Sequence, residues 1–268
     1  MRIDIAARTD VGCVRELNED CFRLVRDLNL FVLSDGIGGH QHGEVASDMA
    51  VNAIAEHCSE SVRNPSLAYE GATLPGVSEK TNRLASAVRT ANRLIHEAAT
   101  GNAELRGMGA TVVAAWLDDQ RLSLAHVGDS RAYQLRGEIF DALTQDHSLV
   151  AEQVRLGILT AEQAEQSHHQ TMLMRALGAE EKVEVDVDEH LLLAGDWILL
   201  CSDGLSRMVS DPDMTRAIIS SRDSETAVDR LVAMAKEAGG ADNITVVLFR
   251  MGQRSSGFFR KFLPWRGR

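Results

Sequence analysis

Acidic side chains recur in this sequence where short apolar runs end. Asp35 follows the apolar run 30–33, and Asp203 follows the run 197–201; both stand in a Ser-Asp-Gly sequence. Runs of this length are typical of buried strands. A carboxylate at the end of such a strand is costly unless water, a cation or a metal ion compensates its charge. An Asp-Gly turn explains Asp35 on its own, but the repetition of the arrangement favours a metal site.

Two further acids, Asp20 and Asp242, also lie at junctions beside predicted strands. Other oxygen-bearing side chains flank these positions: Glu19, Asp129 and Asn243. Carboxylates that meet at one end of a fold repel one another by some kcal/mol at short range, and cations would relieve that repulsion. The ligands are all oxygen atoms, including the carbonyl of Gly36, so the set selects Mg²⁺ or Mn²⁺ over Ca²⁺ and argues against zinc.

A site of this kind predicts hydrolysis of a phosphate monoester. Two ions about 4 Å apart can hold a water between them and clamp a phosphoryl oxygen, so we expect in-line attack by metal-bound water without a phospho-enzyme. Arg15, close in sequence to Glu19 and Asp20, could bind the phosphate through its planar fork or simply pair with these acids. His40 could protonate the leaving alkoxide, a task that water could also perform.

Other catalytic motifs fit the sequence less well. The glycines after Asp35 lack the strand-helix-strand setting of a dinucleotide loop, and Asp35 would lie against the pyrophosphate. No Gly-x-x-x-x-Gly-Lys-Ser/Thr sequence occurs, and we interpret the cysteines as mostly buried thiols rather than as the nucleophile of a cysteine phosphatase. The four cysteines show no close pairing, which predicts reduced thiols in a cytosolic protein.

Composition indicates a globular protein with an acidic body. The 268 residues suit one large domain or two small ones, and the net charge of −11 argues against general nucleic-acid binding. The amino terminus does not resemble a signal peptide, and no apolar run is long enough to cross a bilayer. We therefore expect a cytoplasmic protein.

The order of the predicted elements indicates the fold class. Strands come first, followed by two helices, more strands, a polar insertion, a strand, two helices and a last strand. Successive strands without intervening helices imply antiparallel pairing. We predict an α+β fold in which two antiparallel sheets pack face to face between helix pairs, a four-layer α-β-β-α sandwich. The domain covers residues 1–251, with a candidate mobile flap at about 144–178.

Together the motifs resemble the protein phosphatase 2C family, the metal-dependent serine/threonine phosphatases, in its short bacterial form. The resemblance extends over about residues 9–249 and rests on these segments: Thr9-Asp10-Val11-Gly12, Arg15, Asn18-Glu19-Asp20, Ser34-Asp35-Gly36-Ile37-Gly38-Gly39-His40, Gly43-Glu44, Gly109-Ala110-Thr111, Gly128-Asp129-Ser130-Arg131, Leu143-Thr144-Gln145-Asp146-His147-Ser148, Ser202-Asp203-Gly204-Leu205 and Asp242-Asn243-Ile244-Thr245. Each segment is short, but the order and separations are specific.

The resemblance implies a role for each matching residue. Asp35 would bridge two metal ions and Gly36 would add its carbonyl oxygen. Asp203 and Asp242 would hold one ion, Glu19 would approach the other, and Asp20 would act through water. The remaining roles are binding of the substrate phosphate by Arg15, a third and weaker metal held by Asp129 and Asp203, and control of substrate access by the flap.

The expected activity is hydrolysis of phosphoserine and phosphothreonine in proteins, which would reverse a serine/threonine kinase. We expect a monomer that acts on phosphorylated proteins. Two alternatives remain open: a phosphatase dedicated to one anti-sigma-type switch protein, and a regulator that binds phosphoproteins without turnover. A phosphate-release assay with Mn²⁺ and chelator against several phosphopeptides separates them.

The carboxyl-terminal segment, residues 252–268, lies outside the resemblance. Its aromatic side chains alternate with cations, as in Phe258-Phe259-Arg260-Lys261-Phe262. This pattern is compatible with weak contact to an anionic membrane or a partner, and equally with a frayed tail.

Overall fold

Two antiparallel sheets form the centre of the protein. A computed structural model describes residues 3–37, 42–167 and 169–252. The first sheet has the strand order β1 (Ile3–Asp10), β11 (Ile244–Met251), β10 (Trp197–Cys201), β7 (Arg131–Arg136) and β8 (Ile139–Ala142). The second has the order β2 (Asp20–Val25), β3 (Leu30–Ile37), β5 (Val112–Asp118), β6 (Arg121–Val127) and β9 (Asp186–Leu191), and the short strand β4 (Gly109–Ala110) pairs with β3.

Helices cover the outer face of each sheet. The helices in the described ranges are α1 (Gly43–Arg63), α2 (Glu79–Gly101), α3 (Leu149–Arg155), α4 (Ala161–Glu165), α5 (Asp203–Ser206), α6 (Asp211–Ile219) and α7 (Ser224–Glu237), of which α3 and α4 belong to the predicted flap. Apolar side chains of α1 and α2 pack on the second sheet, and those of α6 and α7 pack on the first. A third apolar layer separates the sheets. The predicted four-layer α-β-β-α sandwich of antiparallel sheets is therefore confirmed.

The middle layer explains why the central strands read as unbroken apolar runs. Every residue of β10 is buried, since one face meets α6 and α7 and the other meets the second sheet. Phe31 and Phe249 join the two sheets, with ring centroids 4.7 Å apart. Burying one such side chain contributes roughly 1.5–3 kcal/mol. This dry layer fixes the strand ends from which the acidic side chains project.

Side-chain caps mark the first turn of several helices. Ser78 precedes α2 and its side chain accepts a hydrogen bond from the Thr81 N–H. Thr160 and Gln163 form the capping box at the start of α4. These caps satisfy amide donors that a helix leaves unpaired at its first turn.

Two elements near the acids differ from the sequence-based prediction. We expected the strand before Asp35 to end there, but β3 continues through Asp35 to Ile37, because Gly36 and Ile37 pair with β4. Asp203 is predicted at the end of the 197–201 strand, but it begins the short helix α5. Both acids are therefore held by regular backbone hydrogen bonding rather than by a loop.

The predicted flap lies beside the ends of β4, β6 and β7. Its far end is anchored where Leu177 exchanges two backbone hydrogen bonds with Ala110. Between the ends it carries α3, α4 and exposed apolar side chains such as Leu156 and Ile158. None of the helices in the described ranges is long and apolar enough to span a bilayer.

Candidate active site

Asp20 and Asp35 face each other on neighbouring strands. They are register partners in the pairing of β2 with β3. The Asp35 N–H donates to Thr111 Oγ1 over 3.1 Å, and the Thr111 N–H donates to the Asp35 carbonyl over 2.8 Å. The Thr111 hydroxyl also contacts Ser130 Oγ at 2.7 Å. The segments around Thr111 and Ser130 thus position the backbone of Asp35.

Ser202 and Thr245 connect Asp20 to the first sheet. Ser202 Oγ donates to Asp20 Oδ2 over 2.8 Å and accepts from the Thr245 N–H over 2.9 Å. Ser202 immediately precedes Asp203 at the end of β10. This buried chain of hydrogen bonds ties the acids of the two sheets together.

Asn243 fixes the loop that carries Glu19. Its side-chain oxygen accepts from the Glu19 N–H over 2.8 Å, and its amide group donates to the carbonyls of Val11 and Leu17, each over 3.0 Å. Asn243 is buried, so these bonds form away from competing water. The Asn at this position is a positioning residue, and its flanking of the acids in the sequence has a structural reason.

Gly36 allows helix α1 to approach the acids closely. A Cβ atom at this position would lie 2.3 Å from the Gly43 carbonyl oxygen and 2.7 Å from that of Glu19. The Gly36 N–H donates to the Glu19 carbonyl over 3.1 Å. Any side chain at Gly36 would therefore separate β3 from the start of α1 and from the Glu19 loop.

Arg15 lies at the edge of the acidic group. Its Nη2 is 2.8 Å from Asp242 Oδ2, and this bond raises the pKa of the Arg15 guanidinium. About half of its side chain, 47%, is exposed to solvent. The alternative prediction, that Arg15 simply pairs with Glu19 and Asp20, is wrong. The loop turns Arg15 towards Asp242, which lies just before β11.

Burial and mutual repulsion raise the pKa values of these carboxyl groups. Desolvation raises the pKa of Asp20 to about 7, and the charges of Asp203 and Asp242 add to the rise. The pKa of Asp35 is raised well above its usual value by desolvation and by Asp20, Asp203, Asp129 and Asp242. The pKa of Asp203 is likewise raised, and desolvation raises that of Asp129 to about 7. The acids thus meet in a place that disfavours their negative charges.

Two orphaned oxygen atoms indicate what this group lacks. Asp20 Oδ1 and Asp203 Oδ1 are buried without a hydrogen-bond partner among the described residues. A buried acceptor left unpaired is costly, by roughly 1–3 kcal/mol. A hard divalent cation would satisfy such oxygen atoms and neutralise the acids. The residues present therefore fit a Mg²⁺ or Mn²⁺ centre.

A tighter group of potential ligands lies nearby and was not predicted. In the described part of the chain, only His126, His147 and Asp186 place three ligand atoms within 4.8 Å of one another. No three of the six acids of the site place their oxygen atoms that close together in the described structure. His147 Nδ1 accepts from the Gly128 N–H over 3.1 Å, so the proton of a neutral ring is on Nε2, which faces Asp186 Oδ2 at 3.3 Å.

This tautomer leaves His147 without a lone pair for a metal. The His147 N–H in turn donates to the Gly128 carbonyl over 3.0 Å, so the two residues are bonded in both directions. Burial lowers the pKa of His147, as do His126 and Arg175, which favours the neutral ring that these bonds require. His147 therefore joins the flap to the loop that carries Asp129. The Asp-His-Ser sequence signalled the position but not this role.

Two predicted features cannot be placed. His40, the candidate acid, and residues 253–268 of the tail lie outside the described residues.

Comparison with known proteins matches most of the chain. A family described as protein phosphatase 2C matches residues 15–246. Serine/threonine phosphatase stp of Listeria monocytogenes is 37% identical over 244 residues, which cover 90% of this chain and 93% of that protein. The crystal structure of the serine/threonine phosphatase PstP/Ppp of Mycobacterium tuberculosis aligns with a TM-score of 0.81 at 36% identity, over 94% of this chain and 99% of the other.

A second structural match carries metal. The catalytic domain of PstP, solved in complex with 2 manganese ions, aligns with a TM-score of 0.79 at 35% identity, over 94% of this chain and 99% of that domain. The two-sheet sandwich is thus the fold of metal-dependent protein phosphatases, and the chain belongs to the protein phosphatase 2C family. It is a serine/threonine protein phosphatase, a phosphoric monoester hydrolase similar to the bacterial enzymes named above.

Proposed function

We propose that this chain removes phosphate from phosphoserine and phosphothreonine in proteins with two Mn²⁺ or Mg²⁺ ions, and that it reverses a serine/threonine kinase. The observation that supports this most directly is the group of raised-pKa carboxyls with two orphaned oxygen atoms. Divalent cations would neutralise the negative charges that this site disfavours.

Each acid has a proposed role. Asp35 and the Gly36 carbonyl would contribute to both ions, Asp203 and Asp242 would hold one of them, and Glu19 would approach the other. Bound there, such ions would supply an activated water for in-line attack and Lewis-acid stabilisation of the phosphoryl oxygens. Asp20 acts from behind through a water, consistent with its hydrogen bond to Ser202. A third, weaker ion is proposed between Asp129 and Asp203.

Arg15 binds the substrate phosphate. Its half-exposed guanidinium stands beside the acids and can exchange Asp242 for a phosphate oxygen pair. His40 is proposed as the proton donor to the leaving serine or threonine, with water as the alternative. The 144–178 segment is proposed as a flap over this entrance.

The remaining proposals concern context. We place the enzyme in the cytoplasm as a monomer, with residues 1–251 as the phosphatase domain. The tail, 252–268, is proposed to make weak membrane or partner contacts. Loss of binding to anionic vesicles on deletion of 252–268 would support this, and equal partitioning of both forms would refute it.

Phosphate release from phosphoserine, phosphothreonine and phosphotyrosine peptides tests the main proposal. Release from the first two with Mn²⁺, and its loss with chelator, is expected. Turnover that persists with chelator would refute the metal scheme. Release from a single phosphoprotein alone would indicate the dedicated phosphatase, and binding without release would indicate the regulator.

A further inference from the structure

Arg207 joins two of the acids of the site. It follows α5 directly, and its Nη1 lies 2.9 Å from Asp203 Oδ2 while its Nη2 lies 2.8 Å from Asp129 Oδ2. Both acids are buried, and a quarter of the arginine side chain is exposed. One guanidinium thus lies between two carboxylates that come from different elements, α5 and the β6–β7 loop.

The same guanidinium also reaches the flap. Arg207 Nη2 donates to the Gln170 carbonyl over 3.2 Å. Gln170 belongs to the proposed flap, between α4 and the anchor at Leu177. Arg207 is therefore the point at which the acid pair and the flap meet.

The positive charge of Arg207 partly neutralises the two neighbouring acids. Asp129 and Asp203 repel each other, whereas Arg207 opposes the rise in the pKa of both. A guanidinium offers N–H donors in a fixed fork and cannot be deprotonated in a protein. Asp203 uses only Oδ2 for this pair, and its Oδ1 remains without a partner in the described structure.

We propose that Arg207 is a built-in cation in the space of the third metal. It neutralises Asp129 and Asp203 and holds the flap at Gln170, so a divalent ion that binds both acids must displace it and release that contact. This inference rests on the proposed function, because it assumes that these acids belong to a metal centre. It predicts an enzyme that binds two ions well and a third one poorly, with the third ion linked to flap opening.

The first test is a Mn²⁺ titration of the full chain, with free ion followed by electron paramagnetic resonance. We compare wild type with Arg207→Ala and, in case that variant folds poorly, Arg207→Gln. If Arg207 occupies the site nine-tenths of the time, its removal should tighten the third dissociation constant by about tenfold. Adding Asp129→Asn to either variant should abolish the third site and spare the first two.

Matched variants control for charge and position. Arg216→Ala removes an exposed arginine of α6 that pairs with Asp213, and it should leave all three constants unchanged. Arg207→Lys keeps the charge but not the fork, so its third constant should fall between those of wild type and Arg207→Ala.

Hydrogen exchange of the flap gives a second readout that needs no metal. In chelator, peptides around Gln170 should exchange several-fold faster in Arg207→Ala than in wild type, and Mn²⁺ at third-site concentrations should speed wild-type exchange to the same level. Third-site constants within twofold of each other, or unchanged flap exchange in chelator, would overturn the proposal. Absence of the two tighter ions from wild type would instead overturn the proposed function.

Discussion

Asp20 and Asp35 are direct partners across the β2–β3 pair, so two carboxylates occupy a position where opposite or neutral side chains are the stable choice. The strain is not local to this pair, because Asp203, Asp129 and Asp242 add their charges to that of Asp35. The fold holds these acids in place through the dry core behind them. The acidic group therefore destabilises one end of the sandwich, as is common where function requires it.

Asp35→Asn should separate stability from activity. The change removes a charge that burial and four neighbouring acids disfavour, so the metal-free protein should be more stable than wild type and unfold at a higher Tm. Phosphopeptide hydrolysis should fall below detection, because the proposed bridging ligand is lost. Thermal unfolding in chelator and phosphate release in Mn²⁺ measure the two effects.

A control keeps this result interpretable. Asp118→Asn neutralises an exposed acid at the far end of β5 and should change neither Tm nor turnover beyond error. Turnover retained in Asp35→Asn would be incompatible with the metal scheme.

The raised pKa values predict an unusual pH dependence of the metal-free protein. A carboxyl whose pKa rises from 3.8 in the unfolded chain to about 7 in the fold, as for Asp20 and Asp129, binds more protons when folded. Its stabilising contribution is complete below pH 3.8 and is lost as the pH rises through about 7. With chelator, the free energy of unfolding of wild type relative to Asp20→Asn should therefore fall as the pH rises from 3.8 to about 7.

Measuring the difference between the two proteins removes other titrations. Acids with lowered pKa values, such as Asp10 and Asp186, lose their contribution as the pH falls, but they do so equally in both. Saturating Mn²⁺ should reverse the trend, since metal binding requires deprotonated carboxylates. A difference that is flat in pH, with and without Mn²⁺, would contradict the assignment.

Much of this site was readable from the sequence, for a physical reason. Acids beside apolar runs, as at Asp35 and Asp203, can be recognised in the sequence because apolar runs are normally buried whereas charged side chains are normally exposed. The residues that position the acids cannot be recognised in this way, since Ser202, Thr111 and Asn243 are of types that also occur in ordinary turns. Likewise, nothing local to Arg207 shows that it spans two elements, because its partner Asp129 is 78 positions away.

Arg15→Ala should mainly weaken substrate binding. The guanidinium is proposed to contact the phosphate in both the bound substrate and the transition state, so its loss should raise KM by about tenfold or more and change kcat much less. The inhibition constant for inorganic phosphate should rise in parallel, and Arg15→Lys should restore only part of both, because lysine lacks the fork.

The Mn²⁺ titration distinguishes this role from a structural one. Arg15 pairs with Asp242, so a merely structural arginine would change the Mn²⁺ constants when removed and leave phosphate inhibition as it was. A large fall in kcat at unchanged KM would contradict the phosphate-binding role.

Thr111 offers the sharpest test of the positioning network. Its hydroxyl accepts from the Asp35 N–H and contacts Ser130 in a buried setting. Thr111→Val keeps the shape but removes that hydroxyl, so the Asp35 amide and Ser130 lose a partner at a cost of roughly 1–3 kcal/mol. Mn²⁺ affinity should fall about 10–100-fold, as for other residues that orient metal ligands, while Thr111→Ser should remain within a few-fold of wild type. Equal Mn²⁺ constants for the valine and serine variants would show that Asp35 is held by the strand pairing alone.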